Sequence, residues 1–142
     1  MADRASRRYP VARVGEIPDG GRKIVDLEGR SVGVFRVGEE YFAVRNRCPH
    51  EGGPLCLGPT TGAVVASDPG TYEWSRAGEI LRCPWHGWEF DLRTGASWFD
   101  PERVRTRRYA VTVEAGDAVD EPRAELYAVS VDDEYVVVDL GR

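Results

Sequence analysis

An all-β fold of short antiparallel strands is what this sequence predicts, on three observations. Short runs rich in Val, Ile, Tyr, Phe and Trp recur along the chain, the residues that suit a pleated, half-buried surface. Turn signals built from Gly, Pro and Asp separate these runs at close spacing, as in hairpin-connected sheets. No stretch carries a helical period over the length a stable helix needs, and nothing repeats except one pair of Cys- and His-bearing turns.

Residues 1–10 are charged and aperiodic and read as a mobile N-terminal tail; residues 11–142 form one domain. Val11–Val14 opens the strands, and Pro18-Asp19-Gly20-Gly21 turns the chain into Lys23–Leu27. Glu28-Gly29-Arg30 leads into Ser31–Val37, and Gly38-Glu39-Glu40 into Tyr41–Arg45. The first Cys/His turn starts at about Asn46, directly after that strand. From Gly58 to Gly70 the chain is rich in small residues, with a short strand expected over Val64–Ala66. Thr71–Ser75, a turn at Arg76–Glu79 and Ile80–Arg82 read as a hairpin running into the second Cys/His turn. Trp88–Leu92, Arg93–Ala96 and Ser97–Phe99 read as strand, turn, strand, stopped by Pro101. Val104–Glu114 alternates as a strand does, Ala115–Arg123 is an acidic loop, and Leu126–Val131 with Tyr135–Leu140 closes the chain as a hairpin about Asp132-Asp133-Glu134.

The two turns carry the chemistry. Cys48-Pro49-His50-Glu51-Gly52-Gly53 and Cys83-Pro84-Trp85-His86-Gly87-Trp88 each offer one thiol and one imidazole, a soft and borderline donor set suited to a transition metal. Pro after each Cys fixes φ and removes an amide donor. Gly52, Gly53 and Gly87 permit positive φ and close approach of backbone. A structural zinc ion is one occupant for two Cys and two His. Zinc knuckles pair like with like, however, whereas each turn here mixes one Cys with one His.

The C-x-H and C-x-x-H turns, read as CPHEGGPL and CPWHGWEFD, resemble those of the Rieske family, and the likeness extends over most of the chain from about Val11. The resemblance implies a Rieske-like fold: an antiparallel β-sandwich base with a small subdomain, over about residues 46–100, in which two loops hold a 2Fe-2S cluster, one per chain. It also implies the ligands, with Cys48 and Cys83 on the inner iron and His50 and His86 on the outer one. The gap between the two turns exceeds the family's usual one, so an insertion is expected at about 60–78.

Composition narrows the function. The chain has 142 residues, 42% hydrophobic and 30% charged, as a globular domain does. It lacks an apolar run long enough to span a bilayer. Ser6-Arg7-Arg8-Tyr9 resembles a twin-arginine export signal, but no apolar segment follows it, so a cytoplasmic location is expected. A net charge of −5 disfavours nucleic acid and anionic membrane surfaces and favours docking to a basic face of a protein partner. Arg103, Arg105, Arg107 and Arg108 read as a solvated strand face. With three Cys in the chain, Cys56 is left over and reads as a small buried hydrophobe.

The resemblance is to Rieske-type ferredoxin components of multicomponent dioxygenases, which implies a one-electron carrier between a flavin reductase and a terminal oxygenase, not an enzyme. A self-contained oxygenase needs a second iron on two His and a carboxylate, and the only two His are already assigned. The alternative within the family is a redox subunit or sensor of a larger complex, such as the small subunit of an assimilatory nitrite reductase. High-potential relatives carry Ser and Tyr hydroxyls where this chain has Trp88 and Phe90. Losing two such hydrogen bonds lowers the potential by something on the order of 100 to 200 mV, toward the bottom of a window of roughly −150 to +300 mV. Those relatives also bridge the loops by a disulfide, which Trp85 precludes here.

Overall fold

The computed structural model describes residues 7–50, 52–68, 71–97, 100–115 and 134–141; over 62–68 and 71–77 the description is of the backbone. Among the described residues nine strands fall into two antiparallel sheets. They are β1 (Arg8–Arg13), β2 (Arg22–Leu27), β3 (Arg30–Val37), β4 (Glu40–Arg45), β5 (Thr60–Asp68), β6 (Thr71–Arg82), β7 (Glu89–Asp91), β8 (Arg108–Ala115) and β9 (Glu134–Asp139). The larger sheet has the order β1-β9-β8-β4-β3-β2, the smaller β5-β6-β7. Among the described residues no helix is long and apolar enough to cross a membrane.

The six-stranded sheet folds over on itself. Tyr9 and Val11 of β1 and Val136 and Val138 of β9 pack against Leu27, Val32, Val34 and Ala43 in one core. Lys23 Nζ on β2 donates to the Val11 carbonyl at 2.8 Å, so the two edge strands meet. The two-residue turn between Leu27 and Arg30 puts Glu28 at φ 56°, an uncommon region for a residue with a Cβ. Its carboxylate accepts from Arg7 Nη2 at 2.9 Å and from the Tyr9 hydroxyl, fastening the turn to β1. Those partners, Arg7 first, hold the Glu28 carboxyl below its ordinary pKa.

Strands β3 and β4 are buried on both faces, which explains why Val32-Gly33-Val34-Phe35 reads as a continuous apolar run. Side chains alternate across a strand. Ala43 therefore points into the first core, while Phe42 and Val44 point into a second one with Phe35, Leu55, Cys56, Leu81, Phe90 and Leu92. This second core lies between the folded sheet and the β5-β6-β7 layer, and both Cys48 and Cys83 belong to it. Arg93 ties the layers, with Nη2 2.7 Å from Glu40 and Nε 2.7 Å from Glu79, over the Phe42 ring.

Several boundaries differ from the sequence reading. Strand β1 starts at Arg8, not Val11: Tyr9 is as buried as the strand core, and Arg8 pairs with Glu114, so Arg7–Pro10 belong to the sandwich instead of a tail. The turn expected at Arg76–Glu79 does not reverse the chain. Thr61 pairs with Ile80 and Ala63 with Ser75, so these residues bulge out of one continuous β6, with Gly78 at φ 80°. The partner of β6 is the nine-residue β5, which absorbs the short strand expected at Val64–Ala66. Strand β8 starts at Arg108; upstream, Arg105 makes a single bridge to Ala96, and Ser97 one to Phe90. Trp98, Phe99, the acidic loop beyond Ala115 and the strand expected at Leu126–Val131 lie outside the described residues. One 3-10 turn, Leu55–Leu57, was not anticipated.

Candidate metal centre

Each Cys/His turn is closed by the same two backbone hydrogen bonds. In the first, Cys48 N donates to Gly53 O at 2.8 Å and Gly52 N to Cys48 O at 2.7 Å. In the second, Cys83 N donates to Trp88 O at 2.7 Å and Gly87 N to Cys83 O at 2.9 Å. Gly52 (φ 80°) and Gly87 (φ 75°) occupy the same fourth position after their Cys, in the left-handed region that glycine adopts at no steric cost. The two turns are one frame used twice, at the ends of β4 and β6.

The frames interlock reciprocally. The residue two after Cys48 is His50, whose ring stacks on Trp88 at 4.0 Å between centroids and 11° between planes. The residue two after Cys83 is Trp85, which lies against Gly53 so closely that a Cβ there would stand 2.7 Å from the indole. In each direction the second position of one frame packs on the fifth position of the other. Bulk is complementary: the imidazole meets an indole, and the other indole meets a bare glycine.

The frames stand on the second core. Cys56 N donates to Asn46 Oδ1 at 2.8 Å, and Asn46 Nδ2 to Ser31 Oγ at 3.1 Å, joining the start of the first frame to the 3-10 turn and β3. Arg22 Nη1 donates to the carbonyls of Cys56 (2.8 Å) and Gly58. Gly58 must be glycine for contact, since any Cβ would overlap the Arg82 carbonyl just before the second frame. Gly33 on β3 leaves room for the Cys56 side chain. Cys56 is wholly buried, as expected of the leftover thiol, and burial pushes it up to about 12.

The structure sorts the four sequence-predicted residues by depth. Cys48 and Cys83 are each 2% exposed, within the second core. His50 and His86 are exposed, and their rings meet edge to face at 4.9 Å. The arrangement is a buried thiol pair beneath a surface imidazole pair. Trp88 packs partly on the second core, and it also carries the His50 ring. The sequence reading missed Arg47 and Arg82, which precede the two Cys and reach back over Gly52 and Gly87; the repeated Arg-Cys-Pro was the signal.

Known proteins share the fold. The Rieske [2Fe-2S] domain model matches residues 7–110. The 3-phenylpropionate/cinnamic acid dioxygenase ferredoxin subunit of Escherichia coli (strain K12) is 29% identical over 119 residues, 83% of this chain and 97% of that protein. The methylxanthine N1-demethylase of Pseudomonas putida is 31% identical over 88 residues, 58% of this chain; the chain spans only 20% of that protein's length. Among solved structures, the ferredoxin of carbazole 1,9a-dioxygenase from Nocardioides aromaticivorans IC177 superposes with TM-score 0.58 at 25% identity, covering 92% of this chain and 97% of that one. The Sphingomonas yanoikuyae B1 ferredoxin superposes with TM-score 0.59 at 24% identity, over 94% of this chain and 99% of that one, a likeness of fold. With a family match over most of the chain and two interlocked C-x-H and C-x-x-H frames at its centre, this protein belongs to the Rieske [2Fe-2S] domain family.

Proposed function

We propose that this chain is a ferredoxin-type electron carrier in which Cys48, His50, Cys83 and His86 hold one 2Fe-2S cluster. The observation that carries the reading is the sorting by depth: two buried thiols below two exposed imidazoles, presented by interlocked frames. The donor set fits the group, since two thiolates on one iron and two neutral imidazoles on the other are what this cluster type takes; bound there, it supplies a one-electron redox centre. The protein's own contribution is positional. Core packing keeps water from the thiols, the shared hydrogen bonds fix both loops, and the exposed His edges bring the redox centre to the surface.

The carrier role is supported by coverage. The chain matches dioxygenase ferredoxin subunits nearly end to end but only a fifth of the demethylase. A flavin reductase is the proposed donor and a terminal oxygenase the proposed acceptor. The β5–β6 hairpin holds the stretch at about 60–78 that we read as the insertion. Trp88 and Phe90 offer no hydroxyl to the loops, which supports a low-potential carrier. Iron and acid-labile sulfide analysis of anaerobically purified protein tests the assignment. About two of each per chain, with uptake of one electron from dithionite, is the expected result. A colourless protein with stoichiometric zinc rejects it.

A further inference from the structure

Charge is distributed unevenly over this molecule. In the base, several cations sit on carboxylates: Arg7 on Glu28 at 2.9 Å, Lys23 on Glu16 at 2.7 Å, Arg8 on Glu114, and Arg93 between Glu40 and Glu79. Arg47 and Arg82 are exposed and have no carboxylate partner among the described residues. Each reaches back over its own frame: a Cβ on Gly52 would stand 3.5 Å from Arg47 Nε, and one on Gly87 3.0 Å from Arg82 Nη2. Each guanidinium thus lies on one of the two frames that carry the exposed His50 and His86. Two large apolar side chains lie exposed alongside, Trp85 at 57% on the second frame and Leu57 at 63% on the 3-10 turn. Gly58, next to Leu57, abuts the Arg82 carbonyl and Pro84 and so binds that turn to the second frame.

We infer that this face docks a redox partner whose electron-exchange site is rimmed by carboxylates, with Arg47 and Arg82 meeting the rim and Trp85 and Leu57 making the apolar contact. The inference rests on the carrier reading and adds the sign of the partner's charge. It reverses the expectation drawn from the net charge of −5. At physiological ionic strength charges act over only about 8 Å, so acidic groups on the far layers are screened while the two guanidiniums at the His edges are not. Charges beyond that distance contribute little to the field there, whereas Arg47 and Arg82 lie on the frames themselves.

Small redox complexes of opposite sign read that field. The reduced holoprotein is mixed in stopped flow with ferricyanide or with hexaamminecobalt(III), each of which takes one electron from it without a bond or proton changing hands. Between about 0.05 and 0.5 M NaCl the ferricyanide rate is expected to fall on the order of three-fold, and the hexaamminecobalt rate to rise. Arg47→Gln with Arg82→Gln should flatten both slopes with the visible spectrum intact. Lys23→Gln, which removes one positive charge from beside β1, should leave them unchanged. A ferricyanide rate that rises with salt in the wild-type protein means that net charge governs, and overturns the inference; so does an unchanged slope in the double variant. Should that variant lose its spectrum, the sign of the wild-type slope decides. A protein that takes up no electron from dithionite fails earlier, and it is the carrier reading that falls.

Discussion

The two Cys/His frames share every backbone feature and differ in what fills them. Both open Arg-Cys-Pro, both close through the amide and carbonyl of Cys, and both have Gly in the left-handed region at the fourth position. Yet the imidazole stands at the second position in one frame and the third in the other, where the displaced slot is taken by Trp85. The difference shows that the backbone frame fixes where each Cys lies, while the filling decides how the frames touch. His50 is braced by Trp88 from the opposite loop, and Trp85 by the bare backbone of Gly53. His86 meets the edge of the His50 ring at 4.9 Å between centroids.

Equivalence of the frames is broken most severely at the thiols. Cys48→Ser and Cys83→Ser should each abolish visible absorbance and bound iron, to the same extent; a variant that kept its cluster would show that its frame is dispensable. The next largest effect falls where the second frame rests on the 3-10 turn. Gly58→Ala forces a methyl into the Arg82 carbonyl, and overpacking against backbone costs about 3 kcal/mol. Thermal unfolding should show it as a fall in Tm of roughly 10 °C. Gly53→Ala meets only the exposed Trp85 indole, which can swing away, and should cost about 1 kcal/mol.

The asymmetry between the fillings is sharpened by removing each indole in turn. Trp88→Ala loses the stack on His50, worth about 1 kcal/mol beyond the area it buries, and Trp85→Ala should cost less because Trp85 is 57% exposed. Equal losses in chemical denaturation would mean that the stack braces nothing. The smallest effect belongs to the thiol outside both frames. Burial raises Cys56 from 9.0 to about 12, so the folded protein keeps it protonated while the unfolded chain ionises. Its stabilisation is whole below pH 9 and is lost as pH rises from 9 toward 12, by about 1 kcal/mol at pH 10. Cys56→Ala should flatten that alkaline slope, measured as the pH dependence of unfolding against wild type.

Much of this was legible in the sequence, for physical reasons that can be named. The strands β2, β3 and β4 announced themselves because two-residue turns at Glu28-Gly29 and Gly38-Glu39 punctuate β-branched runs. The four candidate residues stood out because Cys, Pro, His and Gly at that spacing serve little else. What stayed hidden depended on contacts between distant parts of the chain. The bulge at Arg76–Glu79 has the composition of a turn, and only pairing with β5 keeps β6 continuous. Tyr9 looked like tail because its partners, Val138 and Glu28, lie far along the sequence. The reciprocal packing of His50 on Trp88 and Trp85 on Gly53 links side chains that no periodicity connects.

A redox titration of the anaerobically purified protein, followed by absorbance and by low-temperature EPR, tests the central claim most directly. The expected result is a single one-electron transition near the bottom of the window of roughly −150 to +300 mV, with a low-average-g signal in the reduced state. A potential above about +100 mV would contradict the part assigned to Trp88 and Phe90, since their missing hydroxyls are what place the centre low in that window. The absence of any reducible centre would contradict the assignment of Cys48, His50, Cys83 and His86 altogether.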